Sequence, residues 1–145
     1  MKNYFKLTFL GILPNVTFAR GCVVSFLMDL DLNLTYVNEI KTIVSEAVTN
    51  AVVHGYENRE PGDVILEVYL EDDVMKIVVE DFGVGIEDVQ KAREPLFTTK
   101  LQEDRAGLGF TIMDIFSDEL DVESTVGKGT KVLITKFLKF NKWDE

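Results

Sequence analysis

Cysteine, histidine, tryptophan and proline are all scarce in this 145-residue chain, with one Cys, one His, one Trp and three Pro. A single thiol, Cys22, excludes an internal disulfide framework and suits a reducing compartment. One imidazole, His54, cannot make a histidine metal cluster by itself. Positive charge is also thin. Fifteen basic residues against twenty-five acidic ones leave a net charge of −10, a balance that repels phosphate backbones and argues against direct nucleic-acid binding. Long hydrophobic runs are missing as well: none approaches the roughly 18 to 20 residues of a membrane span, so an integral membrane protein is not expected. Lys2 and Lys6 precede an apolar stretch, Leu7 to Phe18, with Cys22 beyond it, but Pro14 and Asn15 interrupt the run. Arg20 stands where a lipoprotein cleavage site needs a small residue, and the expectation is a cytoplasmic protein.

Apolar residues make up 46% of the chain, enough for one compact domain spanning 1–145. Phe5, Leu7 and Phe9 alternate with polar residues as in a half-buried strand, which Gly11 to Asn15 ends. Asn15 to Asp29 is a mixed apolar segment compatible with a helix, and Asn33 caps a second one. There Val37, Ile40, Val44, Ala47, Val48 and Ala51 form one stripe, with Gly55 as terminator. Val64–Glu71 and Val74–Glu80 form a hairpin around Asp72 and Asp73. A short acidic helix near Ile86 to Ala92 precedes Glu94 to Arg105, which has no period and reads as a lid. Gly107 to Phe116 is a third helix, and Glu119–Thr125 with Lys131–Leu138 a final hairpin around Gly127 and Gly129. Lys139 to Glu145 reads as a frayed tail. The pattern predicts an α+β two-layer sandwich: a mixed, mostly antiparallel sheet with helices on one face.

Glu46 and Asn50 are four apart and project side by side from the second helix. A carboxylate there can take a proton from a hydroxyl, and an amide oxygen is a hard ligand for magnesium. On spacing alone such a pair is more commonly a polar contact on a solvated helix edge. His54, one turn on, suits a structural or capping role. Asp81, at a strand end, leads into Phe82-Gly83-Val84-Gly85, whose glycines allow a ligand to approach the backbone. No protein-kinase catalytic loop, complete dinucleotide fingerprint or P-loop is present. Gly107-Leu108-Gly109 opens a helix whose amides and dipole can hold phosphate oxygens, and Thr98, Thr99, Lys100 and Arg105 precede it. Asp81 can accept a hydrogen bond from an exocyclic amine such as that of adenine.

Taken in order, Glu46-Ala47-Val48-Thr49-Asn50-Ala51, Asp81-Phe82-Gly83-Val84-Gly85-Ile86, Arg105-Ala106-Gly107-Leu108-Gly109-Phe110 and Gly129-Thr130 resemble the nucleotide-binding boxes of the GHKL ATPase and kinase superfamily. Val44 to Ala51, His54-Gly55-Tyr56 and Pro95 to Lys100 are similar to the anti-sigma F factor family, serine kinases of spore-forming bacteria. The resemblance implies ATP and Mg as ligands. It makes Glu46 the general base, Asn50 the magnesium ligand and Asp81 the adenine-recognising residue with Thr130 assisting. Gly83 and Gly85 would shape the adenine loop, Gly107 and Gly109 would contact phosphates, and Thr98, Thr99 and Arg105 would belong to the lid. It also implies a homodimer that holds a sigma factor when loaded with ATP and phosphorylates a serine of an anti-anti-sigma protein. The acidic neighbours Glu103 and Asp104 suggest that this stretch reaches solvent and that Arg105 faces this second partner. Arg20, a lone cation in an apolar segment, is either a sigma-factor contact or a solvated residue. The competing functions are a related stress-response anti-sigma kinase, a histidine-kinase catalytic domain, for which no phosphoacceptor helix is visible, and a non-catalytic nucleotide-gated binding module.

Overall fold

A computed structural model describes residues 2–94 and 105–141. The elements run β1 (Lys2–Leu10), α1 (Pro14–Leu27), α2 (Leu34–Asn50), a π-helical turn (Ala51–Gly55), β2 (Asp63–Glu71), β3 (Val74–Asp81), α3 (Val89–Arg93), α4 (Arg105–Phe116), β4 (Glu119–Thr125) and β5 (Gly129–Phe137). The strands form one five-stranded sheet in the order β1-β2-β3-β5-β4. Every pairing is antiparallel, so the sheet expected as mixed is wholly antiparallel among the described residues. The fold is the expected α+β sandwich of a sheet and a helical layer.

Period-two alternation decides which face of the sheet is buried. Val64, Leu66, Val68 and Leu70 of β2 and Met75, Ile77 and Val79 of β3 are nearly inaccessible and meet Ile40, Ile43, Val44 and Val48 of α2. The opposite face carries polar residues with a stacked tyrosine pair, Tyr4 and Tyr69, whose rings lie 6.0 Å apart. Two charged residues sit on the inner face, Asp81 at the end of β3 and Lys136 of β5. Lys136 of β5 is buried, and its Nζ donates to Glu39 Oε1 of α2 at 2.6 Å and to the Phe116 carbonyl at the end of α4. It also lies over the Tyr36 ring. That ammonium ties both helices to the sheet.

Several local expectations hold and some shift. Asn33 caps α2 by accepting from the Tyr36 amide at 3.0 Å, and Asp72 adopts a positive φ in the β2–β3 turn. The short helix after β3 begins three residues later than expected, at Val89, because Asp88 caps it through the Lys91 amide. Gly55 does not terminate α2 with a left-handed residue. The helix widens instead into the π-helical turn, and Gly55 is absent from the positive-φ positions. Of the tail expected to fray, residues 139–141 are described and are tied down, for Phe140 bridges Leu32 and the Asn141 amide donates to the Asp31 carbonyl at 2.6 Å, while 142–145 lie outside the described residues. No helix among the described residues is long and apolar enough to cross a membrane.

Candidate functional site

A cavity of about 210 Å³ opens between the C-terminal half of α2, the end of β3, the start of β5 and α4. Its walls are apolar, with Val79, Ile86, Phe110 and Val132, and its polar side chains are few: Asn50, His54, Glu57, Asp81 and Thr130. That composition is the usual one for a small-molecule site.

Asp81 is where the inward alternation of β3 places it. Met75, Ile77 and Val79 face the core, so the next residue of that series does too, and Asp81 is 5% exposed. Its Oδ1 accepts from the Gly83 amide at 2.9 Å. Burial pushes its carboxyl above the ordinary value, against the opposing pull of the Gly83 and Thr130 amides, with the Glu80 charge adding to the rise. The carboxylate is seated on bare backbone. A β-carbon on Gly55 would stand 2.6 Å from Asp81 Cγ, and one on Gly83 would fall 1.6 Å from the Gly55 carbonyl oxygen. That carbonyl accepts from the Val84 amide at 2.7 Å. Gly85 has φ +77° with a β-carbon position 2.3 Å from the Thr125 carbonyl oxygen, so it needs both the left-handed conformation and the empty space.

Glu46 and Asn50 lie beside the buried stripe of α2, on the flank that meets α4. A β-carbon on Gly109 would be 3.1 Å from Asn50 Nδ2, 3.2 Å from Asn50 Oδ1 and 3.2 Å from Glu46 Oε1. The two helices therefore approach closely here, and Gly109 contributes its small size. Gly107, in the first turn of α4, lies among the amides that a helix start leaves without intrahelical partners. Asn50 Nδ2 is buried and has no hydrogen-bond partner among the described residues. A buried amide in that state fits a site for a phosphate oxygen, and half a turn about its last torsion presents Oδ1 to a cation.

Of the residues singled out in the sequence, Asn50, Asp81, Gly85 and Thr130 line the cavity, while Gly83 supports it from behind. Glu46 adjoins it through Gly109. Thr98 and Thr99 lie outside the described residues, as does most of the expected lid, and Arg105 is described only as the start of α4. Arg20 is not among the residues lining the cavity. It is half-buried, and its guanidinium donates to Ser45 Oγ of α2 at 3.3 Å, so part of its hydrogen-bonding capacity is used inside the chain. His54, expected in a capping role, lines the cavity.

Two residues are given no role in the sequence reading. Tyr56 is buried; its hydroxyl donates to the Asp63 carbonyl at 2.5 Å and accepts from the Phe82 amide at 2.9 Å, bracing the turn that carries Asp81. Burial raises its phenol pKa. Ser124 of β4 joins the Gly85 loop to Thr130. Tyr56 enters the sequence reading only within the His54-Gly55-Tyr56 resemblance, with no role attached, and nothing local marks Ser124.

Residues 14–136 match the family model described as the histidine kinase-like ATPase domain. The chain is 46% identical over 142 residues to an anti-sigma F factor of Bacillus licheniformis, covering 98% of this chain and 97% of the relative. It is 49% identical to one of Geobacillus kaustophilus with the same coverage. Among solved structures it resembles the RsbU and RsbW domains of Rv1364c from Mycobacterium tuberculosis, with a TM-score of 0.67 and 18% identity over 94% of this chain and 32% of that one. It also resembles the histidine kinase domain of the Erythrobacter litoralis EL346 blue-light activated histidine kinase, with a TM-score of 0.53 and 29% identity over 71% of this chain and 45% of that one. The chain belongs to the histidine kinase-like ATPase family and, within it, to the anti-sigma F factors.

Proposed function

We propose that the chain is an ATP-dependent anti-sigma serine kinase: it holds a sigma factor in its ATP-bound form and phosphorylates a serine of an anti-anti-sigma protein. The observation that carries this reading is the convergence, on one cavity, of the buried Asp81 carboxylate and the Asn50 amide, with Glu46 alongside. Asp81 accepts from the exocyclic amine of adenine, with Thr130 beside it. Asn50 offers its amide oxygen to magnesium, and the amide of Gly107 with the α4 dipole faces phosphate oxygens. Gly109 keeps room between α4 and the Glu46–Asn50 pair. Glu46 takes the serine proton as the hydroxyl attacks. Mg-ATP supplies the phosphoryl group, and the metal offsets its charge. Thr98, Thr99 and Arg105 complete the lid in this reading, with Arg105 turned toward the anti-anti-sigma protein.

A net charge of −10 complements a basic sigma-factor surface and would speed encounter at low salt. Arg20 lies on that surface in this reading, and two chains form the working homodimer. The protein is incubated with γ-labelled ATP, magnesium, a sporulation sigma factor and an anti-anti-sigma protein. Acid-stable label on a serine of the latter, with the sigma factor retained only when ATP is present, is the expected result. Acid-labile label on a histidine would favour the histidine-kinase reading that the 29% identical neighbour raises. Nucleotide binding without any transfer would leave a nucleotide-gated binding module.

A further inference from the structure

The buried Lys136 Nζ donates to Glu39 Oε1 of α2 at 2.6 Å and to the carbonyl of Phe116, the last residue of α4. On either side of Lys136, β5 also holds the turn that follows that helix. The Asp118 amide donates to the Thr135 carbonyl at 2.9 Å, and the Phe137 amide donates to Asp118 Oδ2 at 2.7 Å. Three hydrogen bonds thus fix the C-terminal end of α4 to β5. Glu39 lies seven residues before Glu46 on α2, and Phe116 lies seven residues after Gly109 on α4. At the far end of that span Gly109 packs against Asn50 and Glu46, with its β-carbon position 3.2 Å from Glu46 Oε1. The two helices therefore run in opposite directions and meet at two points, about 10 Å apart along each axis. A glycine offers no side chain to hold the first point in register. The second is held by charge-assisted hydrogen bonds, which are short and strong.

We propose that Lys136 is a positioning residue for phosphoryl transfer: by joining Glu39 to the end of α4, it sets the register of α4 against α2, and with it the distance from the first turn of α4 to Glu46 and Asn50. This rests on the kinase reading above, in which that turn faces the phosphates, Asn50 the magnesium and Glu46 the serine proton. Lys136 lines no part of the cavity. It acts through the helices alone, and a displacement of about 1 Å in a reacting geometry can cost about 10²-fold in rate. Asp81 and Thr130, which meet the base in the same reading, are carried by β3 and β5 rather than by α4. Base binding and phosphoryl transfer should therefore respond differently to the loss of the ammonium.

The test compares wild type, K136M, K136M/E39L and E39Q in thermal unfolding, in calorimetry with adenosine, and in single-turnover transfer from γ-labelled Mg-ATP to the anti-anti-sigma protein. K136M/E39L leaves no unpaired carboxylate and is more stable than K136M, yet it transfers about ten- to a hundredfold more slowly than wild type, with adenosine affinity within about threefold. E39Q still accepts from Lys136 and keeps transfer within a few-fold of wild type. Should K136M/E39L not fold, E39A, which leaves the Phe116 contact in place, shows the same split between transfer and adenosine affinity. Transfer that recovers along with stability in K136M/E39L overturns the proposal and leaves Lys136 as a core brace. Adenosine affinity that falls as far as transfer overturns it as well. A wild type that binds adenosine but transfers no label to the anti-anti-sigma protein overturns the kinase reading itself, and this inference with it.

Discussion

The α-carbon of Gly55 lies against the carboxylate of Asp81, so close that a β-carbon there would stand 2.6 Å from Cγ and 2.8 Å from each oxygen. The contact joins the end of the α2 segment to the end of β3, and any side chain at 55 must displace the carboxylate proposed to read the base. Gly55→Ala is expected to reduce ATP affinity at least tenfold and to cost about 1–3 kcal/mol of stability through overpacking. Gly21→Ala is the control. Gly21 is in α1 with no atom within 4 Å of its β-carbon position, so alanine there should stabilise by about 0.5–1 kcal/mol. Thermal unfolding and calorimetry of the two variants check both outcomes.

Asp81 also links stability to pH. Its carboxyl is raised above 3.8 in the folded chain, chiefly by burial, so folding favours the neutral form. The stabilising contribution of that neutral group is fully present below the ordinary value and is lost as pH rises through the raised one. At neutral pH the wild type without nucleotide carries the cost of a buried charge. Asp81→Asn, which still offers an oxygen to the Gly83 amide, is expected to unfold at a higher temperature than wild type at pH 7. The difference should close as pH falls below the ordinary carboxylate value, as melting curves across that range will read.

Glu46→Gln preserves shape but removes the proton acceptor. Nucleotide affinity is expected to stay within a few-fold while phosphoryl transfer falls by about 10² to 10⁴, the usual range for a general base, with the lower end favoured for phosphoryl transfer. Single-turnover rates with the anti-anti-sigma protein decide; a wild-type rate would give Glu46 another task.

Lys136→Met removes the donor shared by Glu39 and the Phe116 carbonyl. Leaving these partners unpaired is expected to cost about 1–3 kcal/mol. The double variant Lys136→Met/Glu39→Leu should recover part of that loss, because replacing a buried pair by apolar groups is often neutral. Denaturant unfolding of the two proteins gives the comparison.

Sequence periodicity revealed much of this architecture because it is itself a record of burial. The β3 alternation that buries Met75, Ile77 and Val79 also points Asp81 inward, and the α2 stripe leaves Glu46 and Asn50 on its flank. What periodicity cannot register is contact between residues distant in the chain. Gly55 looks like a helix terminator when only its neighbours are considered, yet its role is set by Asp81, twenty-six residues away. Ser124 and Tyr56 matter through hydrogen bonds to Ile86 and Phe82, pairings that only the folded sheet brings about. Lys136 alternates as a core residue with a charge that seems misplaced until Glu39 and the end of α4 supply its partners.

The most direct test of the nucleotide site is calorimetric titration of Mg-ATP into the wild-type protein and Asp81→Asn under identical conditions. One site per chain is expected in the wild type, and a loss of about tenfold or more in the variant, since hydrogen bonds to a charged group contribute roughly 1.5–3 kcal/mol. Equal affinity in the two proteins would contradict the assignment of Asp81 as the residue that reads the base.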